Sequence, residues 1–298
     1  MGHGSYSMTN RLKRANKDGY LTKSKKDIFK NSRVHKDMNP QNVSIRESRD
    51  SDEHPKSLPI IIGLDVTGSM GSVPHYLVKN GLPNIMSNLM ENDIKDPQIL
   101  FLGIGDHKSD SAPLQISQFE SSDELLDKWL TNVYLEGGGG RNGGESYSLA
   151  WYFASRHTSI DNYEKRNKKG ILITIGDEPN HNKYNINRLS DLMGDNFKLE
   201  IEKEEDITFD DIWGGDWDDV DNVEVSIKNK KILTSDELLN DVKKMYDIYH
   251  IHVRQTKSGK IDSTILKWKE VLGDNLYVAE TRENIAGIIS NIIKKSNQ

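Results

Sequence analysis

Asp65, Thr67 and Ser69, an aspartate followed at alternate positions by two hydroxyls, lie in the run Pro59 to Gly71, PIIIGLDVTGSMG. A carboxylate and two neutral hydroxyl oxygens on one short loop suit a hard divalent cation. Gly68 and Gly71 give the backbone the freedom to fold tightly around the ion. A second apolar run, GILITIG from Gly170 to Gly176, ends in Asp177 and continues as Glu178-Pro179. Between the two lies GGGGRNGGES, Gly137 to Ser146, whose side-chain oxygens are those of Asn142, Glu145 and Ser146. The residues Asp65, Thr67, Ser69, Asp177, Glu145 and Asn142 are therefore the candidate ligands, and Mg²⁺ or Mn²⁺ is the expected cofactor.

These three loops resemble the metal-ion-dependent adhesion site (MIDAS) of the von Willebrand factor A (vWA) domain, whose first loop reads Asp-x-Ser/Thr-x-Ser after a buried strand. The Asp177 loop is similar to that family's later aspartate loop. The glycine-rich loop departs from the usual pattern, which places a threonine there, because no threonine occurs between Asn132 and Arg156. It resembles the subset, including domains attached to alpha-kinases, whose middle loop reads Gly-Gly-Gly-Asp-x-Pro-Glu. On that alignment Asn142 and Glu145 fill the acidic positions. The resemblance covers roughly residues 57 to 295 and implies a Rossmann-like, doubly wound α/β fold. It further implies metal-dependent recognition of a protein carboxylate, with family members of this kind serving as adaptors for MoxR-type AAA+ ATPases or as assembly factors in bacteria and phages.

Other chemistries read less well. Haloacid-dehalogenase phosphatases also open on an apolar strand, but Thr67 stands where their second aspartate, the general acid, would be. The glycine loop lacks the Gly-Lys-Ser/Thr ending of a P-loop. No serine, histidine and aspartate constellation is legible. His107 and His181 stand beside site loops, with hydrogen-bonding and metal-rim roles both open to them. A metal-assisted hydrolase or phosphoryl-transfer enzyme using the same ion stays open as the alternative function.

The elements that must position these loops alternate between strand and helix, which predicts a mainly parallel sheet covered on both faces. Strands are expected at Leu58 to Leu64, Gln98 to Gly105, Gly170 to Gly176, Asp247 to Arg254 and Leu276 to Ala279, with an antiparallel edge around Leu114 to Phe119. Helices are expected at about Val73 to Met90, from the Ser121-Ser122 cap to Val133, from Glu145 to Arg156, from the Ser235 cap to Tyr246, and over Thr264 to Leu272 and Glu283 to Lys294. Glu145 is read as a first-turn acid favoured by the helix dipole. Trp151, Tyr152 and Phe153 read as core.

The chain has 298 residues, no cysteine and 35% hydrophobic residues. Disulfides and thiolate chemistry are excluded, and no apolar run approaches the roughly 20 residues of a spanning helix. Without a signal-like apolar segment the chain reads as cytoplasmic, with no membrane partner. Residues 1–56 carry 13 Lys and Arg against 7 Asp and Glu, and the remainder 27 against 39. That first stretch reads as a basic polar arm outside a domain at 57–298, anchored through residues such as Tyr20, Leu21, Ile28, Phe29, Val43 and Ile45 and open to nucleic-acid contact. Within the domain an acidic, tryptophan-containing insertion spans about 195–232; it lacks EF-hand spacing and reads as a partner-contact excursion.

Overall fold

The computed structural model describes residues 4–19, 21–137, 143–194, 232–254 and 260–297. The acidic insertion, Tyr20 and Asn142 lie outside them. Among the described residues ten strands follow one another: β1 (Arg46–Ser48), β2 (Leu58–Asp65), β3 (Pro97–Ile104), β4 (Leu114–Ile116), β5 (Thr158–Ile160), β6 (Gly170–Gly176), β7 (Lys183–Asn185), β8 (Ile232–Thr234), β9 (Tyr246–Val253) and β10 (Leu276–Ala279). Six of them form one sheet in the order β10-β9-β6-β2-β3-β4. Every pairing in it is parallel except β3 with β4. The fold is mixed α/β with a Rossmann-like, mainly parallel sheet.

The apolar runs in β2, β3 and β6 are buried on both faces because helices cover both. One face, through Ile60, Ile62 and Leu64 of β2, packs on the helix Leu82–Glu91 and on the last helix, Asn284–Ser296. The other, through Ile61, Leu100 and Leu172, packs on the helices Ser148–Arg156 and Ser235–Val242. The expected helix from Val73 runs as Val73–Tyr76, a π-helical turn Leu77–Gly81 and Leu82–Glu91, with Met90 exposed on it. Glu145 is not on a helix. It forms an isolated parallel bridge with Asn180, and the helix opens only at Ser148, so the dipole account of Glu145 is replaced by a main-chain one.

The N-terminal segment is laid onto the body. It contains the helices Met8–Lys17 and Lys25–Ile28, and β1 pairs in parallel with β5. Of the expected anchors, Ile28, Phe29 and Val43 are buried and Leu21 and Ile45 exposed; Tyr6, Arg11 and Met38 are buried as well. Scattered single anchors leave no hydrophobic period, which is why the stretch reads as a polar arm in sequence.

Candidate metal centre

Chain order places β2 at the middle of the sheet, with β3 on one side and β6 on the other. The connections diverge there, and the crevice at the carboxyl ends of strands beside such a switch point is where open α/β sheets bind ligands. Asp65 ends β2 and Asp177 follows β6, so the two carboxylates flank that crevice.

The first loop folds around Asp65. Its Oδ1 accepts the Thr67 amide at 2.9 Å and the Thr67 hydroxyl at 2.6 Å, closing an Asx turn. Thr67 then caps a short 3-10 turn, Gly68–Met70, and Gly71 leaves it at φ +51°, where glycine is favoured. The Thr67 and Ser69 hydroxyls lie 3.2 Å apart, and Ser69 donates to Asp177 Oδ1 at 2.9 Å. Four of the six candidates thus form one hydrogen-bonded chain. It runs from buried Asp65 and Thr67 to exposed Ser69 and half-buried Asp177, so it opens to solvent at the Ser69 end.

Tyr147, which the sequence does not single out, donates to Asp65 Oδ2 at 2.8 Å. Its ring is packed edge-on against His250 and Trp268. Trp268 in turn donates its indole N–H to the Glu178 carbonyl at 3.1 Å, fixing the loop of Asp177. Glu145 is tied to the same loop through its backbone: its amide donates to Pro179 O and its carbonyl accepts from the His181 amide, both at 2.9 Å.

All donors to Asp65 are neutral. Burial and the charge of Asp177 push its carboxyl up to about 7 against the pull of Thr67 and Tyr147. Burial pushes Glu145 further, to about 10, reinforced by the charges of Asp65, Asp110, Asp106 and Asp177. Glu145 Oε2 is buried without a hydrogen-bond partner among the described residues. An orphaned carboxylate oxygen among like charges fits a site that takes a cation, and the surrounding donors are hard oxygens.

A second group adjoins the first. Asp106, His107 and His181 are buried and each brings a ligand atom within 4.8 Å of the others, so this group could hold a metal ion. Its present hydrogen bonds fix the tautomer of His181. Lys108 Nζ, which can only donate, lies 3.1 Å from His181 Nδ1, so the proton of His181 sits on Nε2 and is donated to Asp106 Oδ1 at 2.9 Å. The Ser146 hydroxyl accepts the His107 amide at 2.8 Å and contacts Nδ1 at 2.7 Å. Burial, with His181 nearby, holds His107 down at about 4. A metal here would displace the His181 proton and turn Lys108 away, whereas the oxygen site has an acceptor already free. The sequence signal for this group was that His107 and His181 both stand beside site loops; that the two close on Asp106 was not legible.

No family model matches the chain, and no curated protein does. Among solved structures, the pilus adhesin SpaC from Lactobacillus rhamnosus GG in its open conformation is similar with a TM-score of 0.50 at 8% identity, over 84% of this chain and 31% of the adhesin. Proximal thread matrix protein 1 from the mussel byssus matches with a TM-score of 0.39 at 9% identity, over 81% of this chain and 48% of that one. The chain spans about a third of the adhesin's length, and at this identity the likeness concerns the fold alone.

Proposed function

We propose that this protein is a metal-dependent protein-recognition module of the vWA kind, acting in the cytoplasm. Thr67, Ser69, Asp65, Asp177 and Glu145 would hold Mg²⁺ or Mn²⁺, directly or through water. The observation that carries the reading is the buried Glu145 Oε2, without a partner among the described residues, beside a hydrogen-bonded chain of carboxylates and hydroxyls at the sheet's switch point. A bound cation would offer an electrophilic coordination position to a carboxylate of a protein partner. The chain's own residues do the rest: Tyr147 and the Thr67 amide orient Asp65, Trp268 holds the Asp177 loop, and exposed Ser69 leaves the approach open. The resemblance extends the proposal to an adaptor or assembly factor working with a MoxR-type AAA+ ATPase.

The test is thermal melting with and without Mg²⁺ or Mn²⁺. An ion that binds only the folded chain adds about 2.7 kcal/mol at a hundredfold excess over Kd. Asp65→Ala and Ser69→Ala should abolish that shift; an undiminished response in both variants overturns the site. Metal-dependent turnover of a generic phosphoester would replace recognition by the hydrolase reading.

A further inference from the structure

The flank of the metal loop is built by the N-terminal segment. Lys25 Nζ donates to the Gly71 carbonyl at 2.6 Å, two residues beyond Ser69. His75 Nε2 lies 3.2 Å from the Lys23 carbonyl, and Lys79 Nζ donates to the Leu21 carbonyl at 2.8 Å. From the other side, Arg282 Nη1 donates to the Ser72 hydroxyl at 2.5 Å, and its guanidinium lies over the Tyr76 ring. Lys25, His75, Lys79 and Arg282 are thereby gathered on one surface that runs outward from Gly71. They are close enough that the charges of Lys79, Arg282 and Lys25 add to burial in lowering the pKa of His75.

The acids nearby offset only part of this surface's charge, through the Glu283–Arg282 ion pair. Glu283 is held on Arg282 Nε at 2.7 Å, and Asp27 is engaged with Ser24 in a capping box. Lys25 and Lys79 have only neutral carbonyls as hydrogen-bond partners among the described residues. Like charges held together by backbone carbonyls beside a site for one carboxylate are complementary to further negative charge arriving with that carboxylate.

We infer that the surface formed by Lys25, Lys79 and Arg282 around His75 binds an acidic segment of the protein partner, so that the site selects a carboxylate flanked by other acids over a lone one. The inference rests on the proposed metal-dependent recognition for its anchoring carboxylate. The surface reads charge, and so adds affinity that salt weakens.

The experiment measures fluorescence anisotropy of a fluorescein-labelled peptide of alternating Asp and Gly, with its Asn counterpart and a single-stranded oligothymidine as comparators, binding the full chain in Mg²⁺ and in EDTA. The Lys79→Ala, Arg282→Ala double variant should bind the acidic peptide roughly tenfold more weakly, with a shallower salt dependence. Its Mg²⁺-induced thermal shift should equal that of the unsubstituted chain, because neither residue is a candidate ligand. In EDTA the weaker residual binding should show the same dependence on the two residues. Failure of the metal reading would appear separately, as peptide binding that EDTA leaves unchanged and a missing thermal shift. Undiminished peptide binding by the double variant, equal binding of the Asn peptide, or tighter, variant-sensitive binding of the oligothymidine would each overturn the acidic-partner assignment.

Discussion

At the scale of single residues, the site stores like charge and shows it as a pH dependence. With its folded pKa raised to about 10, Glu145 adds stability below the unfolded value, 4.5, and withdraws it as pH rises through about 10. Asp65, raised to about 7, acts in the same direction over a lower range. Below pH 6.5 the effect is opposed, because His107, His181, His250 and His252 have lowered pKa values and favour the fold only while neutral. The clean window is therefore pH 7 to 9. In EDTA, urea stability should fall across it by on the order of 1 kcal/mol per pH unit, the size of one extra proton held by the folded state. Glu145→Gln should flatten that fall, and saturating Mg²⁺ should reverse it, since cation binding requires the ionised carboxylate. A flat apo profile in the unsubstituted chain would show that Glu145 is already ionised. The sequence made Asp65, Thr67, Ser69 and Asp177 legible because strand ends and alternate spacing are local signals. It did not reveal Tyr147, whose role depends on where the following helix docks.

At the scale of elements, that docking is set by a missing side chain. A Cβ on Gly176, the last residue of β6, would lie 1.8 Å from the Tyr147 hydroxyl, which occupies the space to reach Asp65. Gly176→Ala should therefore push the opening of the Ser148–Arg156 helix off the sheet and cost about 1–3 kcal/mol, as overpacking does. Tyr147→Phe keeps the ring and loses only the hydrogen bond. If urea melts show Gly176→Ala no less stable than the unsubstituted chain, the approach of β6 to Tyr147 is looser than the structure has it. The core strands were readable for the converse reason: β2 and β6 are mainly apolar runs ended by aspartate or glycine, and β10 is a short apolar run in an alternating strand-helix order. The three-residue strands β1, β5, β7 and β8 carry no such pattern, because their partners, not their composition, make them strands. The Ser235–Val242 helix began one residue earlier in its cap than the serine suggested: Thr234 and Glu237 form the capping box.

At the scale of the whole molecule, the charge asymmetry of the sequence is largely an internal arrangement. Arg11 pairs with Asp127 at 3.1 Å, Arg14 with Asp123 at 2.6 Å and Arg49 with Asp161 at 2.8 Å, so basic residues of the N-terminal segment are engaged by carboxylates of the body. That leaves less of the segment's charge for nucleic acid than its composition implied. The segment also enters both cores, Met38 packing on one face of the sheet and Val43 on the other. Burying each of these two side chains is worth about 1.5–3 kcal/mol. Against a typical domain stability of about 5–15 kcal/mol, their loss together with the ion pairs is a large fraction. A chain beginning at Ser57 should accordingly melt at a markedly lower urea concentration, or without a cooperative transition, although the stretch reads in sequence as a polar arm outside the domain. Met38→Ala in the full chain should cost about 2–5 kcal/mol and separate this packing from any effect of shortening. Equal midpoints for the shortened and full chains would return the segment to the status of an arm.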